Sequence, residues 1–271
     1  MQLITLTTDW GQKDWYCGKI KGLLYSSVKD VEVIDISHNV PKFDLNSAAF
    51  VVKNACLNFP ENTIHIIDVN TYETQKKAFI AVKYNKQFYI CTDNGLPSMV
   101  FENGEIEITD FTNVFADSNY YNFATQDIFV KVAALIAKDL SADNLGNRKE
   151  KLEVESSFPR AVIRKDSIIC NVIYIDDYGN CYLNCDDVTF DKVLNERSFE
   201  IMLDLGCYIR DISHSYADKA IRGQILMTVS SSGFLELAIR EDNLAKLMGL
   251  ETGSQVVIKM QDKKDGSFFG M

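Results

Sequence analysis

The sequence lacks three features that would place it in a common class of protein. It has no block of basic residues, and 28 lysines and arginines against 38 aspartates and glutamates leave a net charge of −10. Because an acidic surface repels phosphate backbones, we expect no nucleic-acid partner. No apolar run approaches membrane-spanning length, and residues 1–4 lead into strand-like sequence without a signal-peptide pattern. We therefore expect a cytoplasmic protein without membrane contact.

The cysteines and histidines are too scattered to form a disulfide framework or a metal site. The seven cysteines are odd in number, and the three histidines lie far apart. Cys181 and Cys185 would share one face of a strand, but no second cysteine or histidine pair completes four ligands. The sequence therefore predicts buried free thiols in a reducing compartment and no bound metal ion.

The first half of the chain alternates between strand and helix patterns. At 271 residues and 46% apolar composition the chain is long enough for two modest globular domains. Strand patterns cover 3–7, 31–36 and 64–68, and helix patterns cover 14–26 and 45–57. This order is typical of a parallel sheet with right-handed crossovers.

The pattern changes after a polar, aperiodic stretch that starts at residue 141. Before it come strand runs at 78–84 and 87–91 and a helix over 127–140. After it we expect only short strands until a helix at 242–247; they cover 168–175, 181–184, 199–205, 224–230, 234–239 and 256–260. The sequence thus predicts an α/β N-terminal domain with a mainly parallel sheet (1–145), a linker (146–159) and a smaller C-terminal β-barrel domain (160–271).

Polar side chains follow the predicted strands of the first domain at their carboxyl ends, where ligands bind in parallel α/β sheets. These are Asp9, Asp68 and the turn at 93–95. A carboxylate at the position of Asp9 is well placed to accept both hydroxyls of a ribose. Asp14 stands at the predicted start of a helix, and we favour an N-cap role over a ligand role for it. Because no Gly-x-Gly-x-x-Gly motif or phosphate-binding loop is present, a dinucleotide or triphosphate ligand is disfavoured.

Two polar turns stand out in the second half. Residues 174–180 (YIDDYGN) hold two carboxylates, two tyrosines, a glycine and an amide, and residues 230–236 (SSSGFLE) precede a strand. Ordinary turn chemistry accounts for either one taken alone.

Taken in order, short motifs along nearly the whole chain resemble one enzyme family. They are 8–14 (TDWGQKD) with Lys21-Gly22, 33–38 (VIDISH), 59–63 (FPENT), 92–96 (TDNGL), 126–129 (QDIF), 175–180 (IDDYGN) and 231–238 (SSGFLELA). Each motif is weak singly, but the ordered set resembles the S-adenosylmethionine hydroxide adenosyltransferases, which include the fluorinases and chlorinases. The chain looks like a divergent member.

The resemblance implies an α/β domain, a β-barrel domain and a homotrimer with ligand sites between neighbouring subunits. In such proteins water or halide attacks C5′ of the adenosyl group of S-adenosylmethionine, methionine leaves, and no cofactor takes part. Asp9 would then hold the ribose hydroxyls and Phe43 would form an apolar wall. The remaining candidate contacts are Asp176 and Ser231, with Ser232, for the methionine end; Tyr178, Asn180 and Tyr216 around the adenine; and Asp14 near the substrate. His38 looks like a structural residue after a strand.

The sequence departs from the family around the attacking water. Hydrolytic members resemble each other in an aspartate, an arginine and a histidine there, and Asp68 matches the aspartate. The arginine position falls on Gln75, Lys76 or Lys77, and the histidine position is Ala124, which cannot move a proton. Thr125 falls where halide-using members place a small residue beside the nucleophile.

The sequence alone does not show which residues replace these two roles. Tyr72, Glu73 and Thr125 are conceivable substitutes because all three lie in the altered segments. His65 lies three residues before Asp68, which in a strand puts it on the opposite face.

Three functions follow, in order of preference. The first is hydrolysis of S-adenosylmethionine to adenosine and methionine. The second is binding of S-adenosylmethionine or adenosine without turnover, as the altered catalytic positions suggest. The third is an enzyme that acts on another adenosyl substrate or with another nucleophile.

Overall fold

The computed structural model describes residues 1–71, 78–101, 105–113, 123–203, 206–219 and 221–261. The chain divides into two compact units, Met1–Ser157 and Phe158–Met271. Among the described residues no helix has the length and apolar character needed to cross a membrane.

The first unit is built on a sheet with helices on both faces. Its elements are β1 (Gln2–Thr8), α1 (Tyr16–Ser27), β2 (Val31–Ser37), α2 (Leu45–Ala55), β3 (Ile64–Asp68), β4 (Phe79–Tyr84), β5 (Gln87–Thr92), α3 (Leu96–Val100), β6 (Glu107–Asp110), α4 (Val130–Asp139) and β7 (Asn147–Lys149). In the described residues seven strands pair in the order β2-β1-β3-β5-β4-β6-β7.

This sheet is mixed, and only part of it is parallel as predicted. The pairings β1–β2, β1–β3 and β3–β5 are parallel, whereas β4–β5, β4–β6 and β6–β7 are antiparallel. The physical reason lies in the turn between β4 and β5. Asn85 and Lys86 both have positive φ, 48° and 61°, the backbone of a two-residue hairpin. Strand β7 lies in the stretch predicted as linker.

The core of the first unit positions the carboxyl ends of β1 and β3. Helices α1 and α4 pack together on one face, where their buried residues meet alternate residues of the strands. Ile4 and Leu6 of β1 belong to this cluster and are fully buried. Because side chains alternate along a strand, Thr8 lies on the same face as these two residues.

The start of α1 corrects one prediction. Asp14 is exposed and is not the N-cap; the helix begins at Tyr16 after Trp15, which makes no side-chain capping bond. The sequence favoured Asp14 because aspartate caps helices well. The predicted 127–140 helix is present, but it opens with a π-helical turn over Thr125–Phe129 before α4.

The second unit is a nearly closed sheet. Its elements are β8 (Val162–Arg164), β9 (Ser167–Ile175), β10 (Cys181–Asp186), α5 (Asp187–Leu194), β11 (Ser198–Leu203), β12 (Cys207–Ile209), β13 (Ile225–Val229), β14 (Phe234–Ile239), α6 (Leu244–Met248) and β15 (Gln255–Gln261). The order is β12-β11-β15-β9-β10-β14-β13, with β8 beside β9. A bridge between Ile212 and Met227 links the segment after β12 to β13, so the two edge strands approach each other.

Helix α5 was missed by the sequence analysis. Val188 and Thr189 are β-branched and weak helix formers, so no helical pattern stood out. The helix is set by its N-cap, because the Asp186 side chain accepts a hydrogen bond from the Thr189 N–H. Cys181 and Cys185 are buried free thiols, as predicted.

Candidate functional site

Asp9 lies just beyond the end of β1, and backbone donors hold its carboxylate. Its Oδ2 atom accepts hydrogen bonds from the N–H groups of Phe43, at 2.9 Å, and Asn70, at 3.3 Å. Both donors have positive φ, 63° and 51°, which is rare for a side chain as bulky as phenylalanine. Within the described ranges Oδ1 has no hydrogen-bond partner. The geometry thus fixes one oxygen of the carboxylate, Oδ2, at the end of β1.

Asp68 ends β3 beside Asp9 and is also buried. The Asp9 N–H donates to the Asp68 carbonyl oxygen at 3.3 Å, so the two strand ends are tied together. Burial raises the pKa of the Asp68 carboxyl from 3.8 to about 6. A hydrogen bond from Thr125 lowers this pKa, and the nearby negative charge of Asp9 raises it. A carboxyl group in this range can exchange a proton near neutral pH.

Thr125 is brought to Asp68 by the π-helical turn. Its Oγ1 donates a hydrogen bond to Asp68 Oδ2, and its side chain is fully buried. Single π turns inside helices often occur at functional sites, because they shift the side chains that follow. Ala124, in the family's histidine position, is buried beside it and carries no polar side-chain atom.

Two other candidates of the first unit have clear structural roles. Asp93 accepts hydrogen bonds from the N–H groups of Glu153 and Val154. Asn94 donates from Nδ2 to the Val69 carbonyl oxygen. The 93–95 turn therefore links the segment that follows Asp68 to residues 153–154 through hydrogen bonds. His65 contacts Thr5 at 2.7 Å and stacks on Tyr89, on the face of β3 opposite Asp68, as its place in the strand predicted.

Asp176 and Asn180 form the turn between β9 and β10. Asp176 Oδ1 accepts from the Asn180 N–H, and Oδ2 accepts from the Asn180 amide, both at 2.9 Å. Gly179 has φ +84°, and a Cβ there would lie 2.1 Å from Cγ of Asn243. A side chain at position 179 would therefore meet both an unfavourable backbone conformation and the side chain of Asn243.

A buried carboxylate behind this turn was missed by the sequence analysis. Tyr216 OH donates to Glu236 Oε1 at 2.5 Å, and Glu236 is 2% exposed. Burial raises the Glu236 pKa, the Tyr216 hydrogen bond lowers it, and the charge of Asp176 raises it. An acidic residue in the middle of the apolar strand β14 was the available signal.

Asp176 and Tyr216, but not Glu236 itself, line a cavity of about 730 Å³, within the range of small-molecule sites. The cavity brings together three predicted adenine contacts, Tyr178, Asn180 and Tyr216, with Asp176. Tyr178 is 79% exposed and Tyr216 45% exposed, so both rings present a face for stacking. The other lining residues are Asp177, Ile239, Arg240, Glu241, Asp242 and Asn243.

Ser231 and Ser232 lie at the other end of β14. Cys181, next to the 176–180 turn, pairs with Leu237, whereas Asp186 at the far end of β10 pairs with Phe234. Ser232 contacts Ser230 at 2.6 Å between hydroxyls, and Ser231 is exposed. Within one chain the structure therefore does not bring Ser231 to Asp176, although both were assigned to the methionine end.

The remaining candidates are surface residues or lie outside the described ranges. Phe43 is 69% exposed, which leaves its ring free to form an apolar wall. Asp14 is exposed, and no hydrogen bond or ion pair fixes it among the described residues. Tyr72, Glu73, Gln75, Lys76 and Lys77 lie outside the described residues.

Comparison with known protein families matches both halves of the chain to the two domains of one family. The family model for the SAM hydroxide adenosyltransferase N-terminal domain matches residues 4–146, and the model for the C-terminal domain matches residues 170–257.

Three curated relatives match over nearly their full length. The chain is 26% identical over 276 residues to the (R)-S-adenosyl-L-methionine hydrolase of Methanocaldococcus jannaschii, covering 95% of this chain and 96% of that protein. It is 25% identical over 259 residues to the protein of the same name from Salinispora tropica, covering 93% and 96%. It is 22% identical over 289 residues to the fluorinase of Actinopolyspora mzabensis, covering 94% and 96%.

Two solved structures share the fold. An uncharacterized conserved protein from Thermotoga maritima superposes with a TM-score of 0.83 at 26% identity, covering 95% of this chain and 100% of that one. A conserved hypothetical protein from Thermus thermophilus superposes with a TM-score of 0.71 at 20% identity, covering 96% and 100%.

Proposed function

The chain belongs to the SAM hydroxide adenosyltransferase family, and from this premise we propose that it hydrolyses S-adenosylmethionine to adenosine and L-methionine. Relatives at 25–26% identity that carry the name (R)-S-adenosyl-L-methionine hydrolase support the proposal. The observation that carries it is the pair of buried carboxylates, Asp9 and Asp68, at adjacent strand ends, with Thr125 bonded to the second.

The two carboxylates take different roles in this reaction. The free oxygen of Asp9 accepts a ribose hydroxyl and places C5′ next to Asp68. Asp68 accepts a hydrogen bond from the attacking water and then its proton. The water oxygen bonds to C5′, the C5′–S bond breaks, and its electron pair remains on the sulfur of methionine. Because the neutral thioether needs no proton, the reaction requires a base but no acid and no cofactor.

The second unit supplies a surface for the adenine. In our proposal Tyr178 and Tyr216 stack on the base, since their exposed rings line the 730 Å³ cavity. Asn180 hydrogen-bonds the base edge. We further propose that the chain forms a homotrimer in which each ligand site combines the first unit of one subunit with the second unit of its neighbour.

The direct test is incubation of the purified protein with S-adenosylmethionine, followed by separate quantification of adenosine and methionine. Wild type should form the two products in equal amounts, and Asp68→Asn should lose at least about 100-fold in kcat. Glu32→Gln, an exposed change on β2, serves as the matched control and should behave as wild type. Equal product formation by wild type and Asp68→Asn contradicts the assignment.

Binding without turnover is the second candidate, and one observation favours it. Ala124 carries no proton-transfer group, and Thr125 already occupies one oxygen of Asp68. This candidate predicts a calorimetric binding signal for S-adenosylmethionine that Asp9→Ala abolishes, with no adenosine formed over many hours. A product signal that depends on Asp68 rules it out.

A further inference from the structure

A chain of polar side chains leads from the buried end of β1 to the protein surface. Oγ1 of Thr8 lies 2.7 Å from Nδ1 of His38, and Nε2 of His38 lies 3.1 Å from Oδ1 of Asp35. Oδ2 of Asp35 lies 2.5 Å from Nζ of Lys21. Thr8 is fully buried, His38 is 2% exposed, and the Asp35 side chain is 35% exposed. The three groups thus connect the interior with solvent.

The charges of Asp35 and Lys21 determine which atoms donate and which accept along this row of side chains. Burial opposes ionisation of Asp35, but the hydrogen bond from Lys21 and the contact with the His38 ring outweigh it, so the Asp35 pKa lies below its usual value. A carboxylate next to Nε2 favours the tautomer of His38 that carries its hydrogen there. Nδ1 is then an acceptor, and Thr8 must donate its hydroxyl hydrogen to it. The Thr8 oxygen is left free to accept a hydrogen from the other side.

Asp68 is the neighbour of Thr8 on the adjacent strand. Thr8 and Asp68 are register partners on the parallel strands β1 and β3, so their side chains point to the same face of the sheet. Neighbouring strands lie about 4.8 Å apart, and one water molecule can bridge side chains at such a separation.

The proposed reaction leaves one proton to be removed. S-adenosylmethionine carries a sulfonium charge, whereas adenosine and the methionine thioether carry none, so hydrolysis by water releases one proton in each turnover. Asp68 receives it and is almost fully buried. The base must lose this proton before it can act again.

We propose that Thr8, His38 and Asp35 form the relay that takes up this proton, an inference that rests on the proposed function. The proton on Asp68 passes through one bridging water to the Thr8 oxygen, while the Thr8 hydrogen passes to Nδ1 of His38. The imidazolium that forms is stabilised by the Asp35 carboxylate, and the Nε2 proton passes through Asp35 to solvent. One proton enters the relay and one leaves. Thr8 and His38 are positioning residues, because they act through Asp68 and its water.

The test compares Thr8→Val, which has the same shape without the hydroxyl, with Thr8→Ser, which keeps it. Thr7→Val is the matched control, because Thr7 is equally buried on the same strand but points to the opposite face. The measurements are kcat and KM for adenosine formation, and kcat in mixtures of light and heavy water. Thermal melting confirms that each variant is folded.

We expect Thr8→Val to lose about 10- to 100-fold in kcat with KM nearly unchanged, and Thr8→Ser to retain most activity. Wild type should show a curved dependence of kcat on the fraction of heavy water, because several protons move together, and Thr8→Val should show a straight line. A purely structural role of Thr8 would not straighten this curve. Wild-type kcat with a curved plot in Thr8→Val overturns the relay, as does an equal loss in Thr8→Ser.

Asp35→Asn provides a second route that is independent of any folding defect in Thr8→Val. Asp35 is partly exposed, so its amide should leave the fold intact while weakening the stabilisation of the imidazolium. We expect a several-fold loss of kcat with a straighter heavy-water plot, and an unchanged kcat contradicts the relay. The proposed function is measured first on wild type: absence of adenosine there overturns both proposals, whereas wild-type turnover with unaffected variants overturns the relay alone.

Discussion

At the scale of single residues, the site depends on a carboxyl group held where its ionised form is disfavoured. Asp68 is buried, and its raised pKa reflects that burial more than any neighbouring charge. Burial of an ionisable group costs stability in the folded state, and such costs are typical of functional positions. Stability and activity should therefore respond in opposite directions to changes at this position.

Asp68→Asn should make the protein more stable while it removes activity. The folded-state pKa of about 6 lies above the ordinary value of 3.8. The native state therefore binds the proton more tightly than the unfolded state, and stability is lost as pH rises from about 4 to above 6. Removing the charge should increase the free energy of unfolding by on the order of 1–3 kcal/mol at pH 8 and by much less at pH 4. Urea unfolding at both pH values measures this, with Glu32→Gln as the control; an equal effect at both pH values contradicts the assignment.

Thr125→Val should move the pH dependence of the reaction. Its hydroxyl lowers the Asp68 pKa by hydrogen bonding, so loss of the hydroxyl raises that pKa further. The acidic limb of kcat/KM, expected near pH 6 in wild type, should shift upward by about one pH unit. Thr125→Ser keeps the donor and should leave the limb in place. An unmoved limb in Thr125→Val would show that another group controls it.

At the scale of elements, strand ends and tight turns position the side chains of the candidate site. The sequence placed Asp9 and Asp68 at the ends of two strands, as the structure has them, because strand patterns ending in aspartate are short-range signals. It missed helix α5 and misplaced the start of α1, since β-branched residues hid the first and an exposed aspartate suggested a cap for the second. The hydrogen bonds that Asp9 accepts from Phe43 and Asn70 join residues 34 and 61 positions apart, which no local pattern reveals.

Gly179→Ala should disrupt the contact between the 176–180 turn and helix α6. The added Cβ would lie 2.1 Å from Cγ of Asn243, the N-cap of α6, and φ is +84°. We expect a loss of about 2–4 kcal/mol in the free energy of unfolding, together with weaker binding of S-adenosylmethionine. Chemical unfolding and calorimetry are the measurements.

Gly253→Ala separates the two causes of this loss. Gly253 also has positive φ, +92°, but a Cβ there has no atom within 4 Å. The control should therefore lose only about 1–2 kcal/mol, the cost of the backbone conformation alone. Equal losses in the two variants would show that the contact with Asn243 is unimportant.

At the scale of the whole molecule, the proposed trimer makes a prediction about mixed assemblies. Asp9→Ala removes the proposed ribose contact of the first unit, and Asn180→Ala removes the proposed base contact of the second, so each variant alone should be inactive. When the two are co-expressed, a site between neighbouring subunits is intact if each subunit contributes its unaltered unit. In every trimer that contains both variants, about one site in three is in this state.

Co-purified mixtures with two different affinity tags measure this recovery. About one third of wild-type adenosine formation is expected, because selection for both tags removes the homotrimers, and light scattering should give about three times the protomer mass of 30.7 kDa. Mixing the separately purified variants without subunit exchange is the control and should remain inactive. No recovery from a confirmed mixed trimer contradicts sites that are shared between subunits.

The sequence alone determined the first three strands and the two helices between them, the acidic charge and the aspartates at the strand ends, because these depend on neighbouring residues and on composition. Tertiary structure decided which oxygen of Asp9 is held, the raised pKa of Asp68 beside Thr125, the buried Glu236 beneath Tyr216, and the Thr8–His38–Asp35 chain. These features arise when distant segments exclude water together, and burial and hydrogen bonding between such segments leave no periodic trace in the sequence.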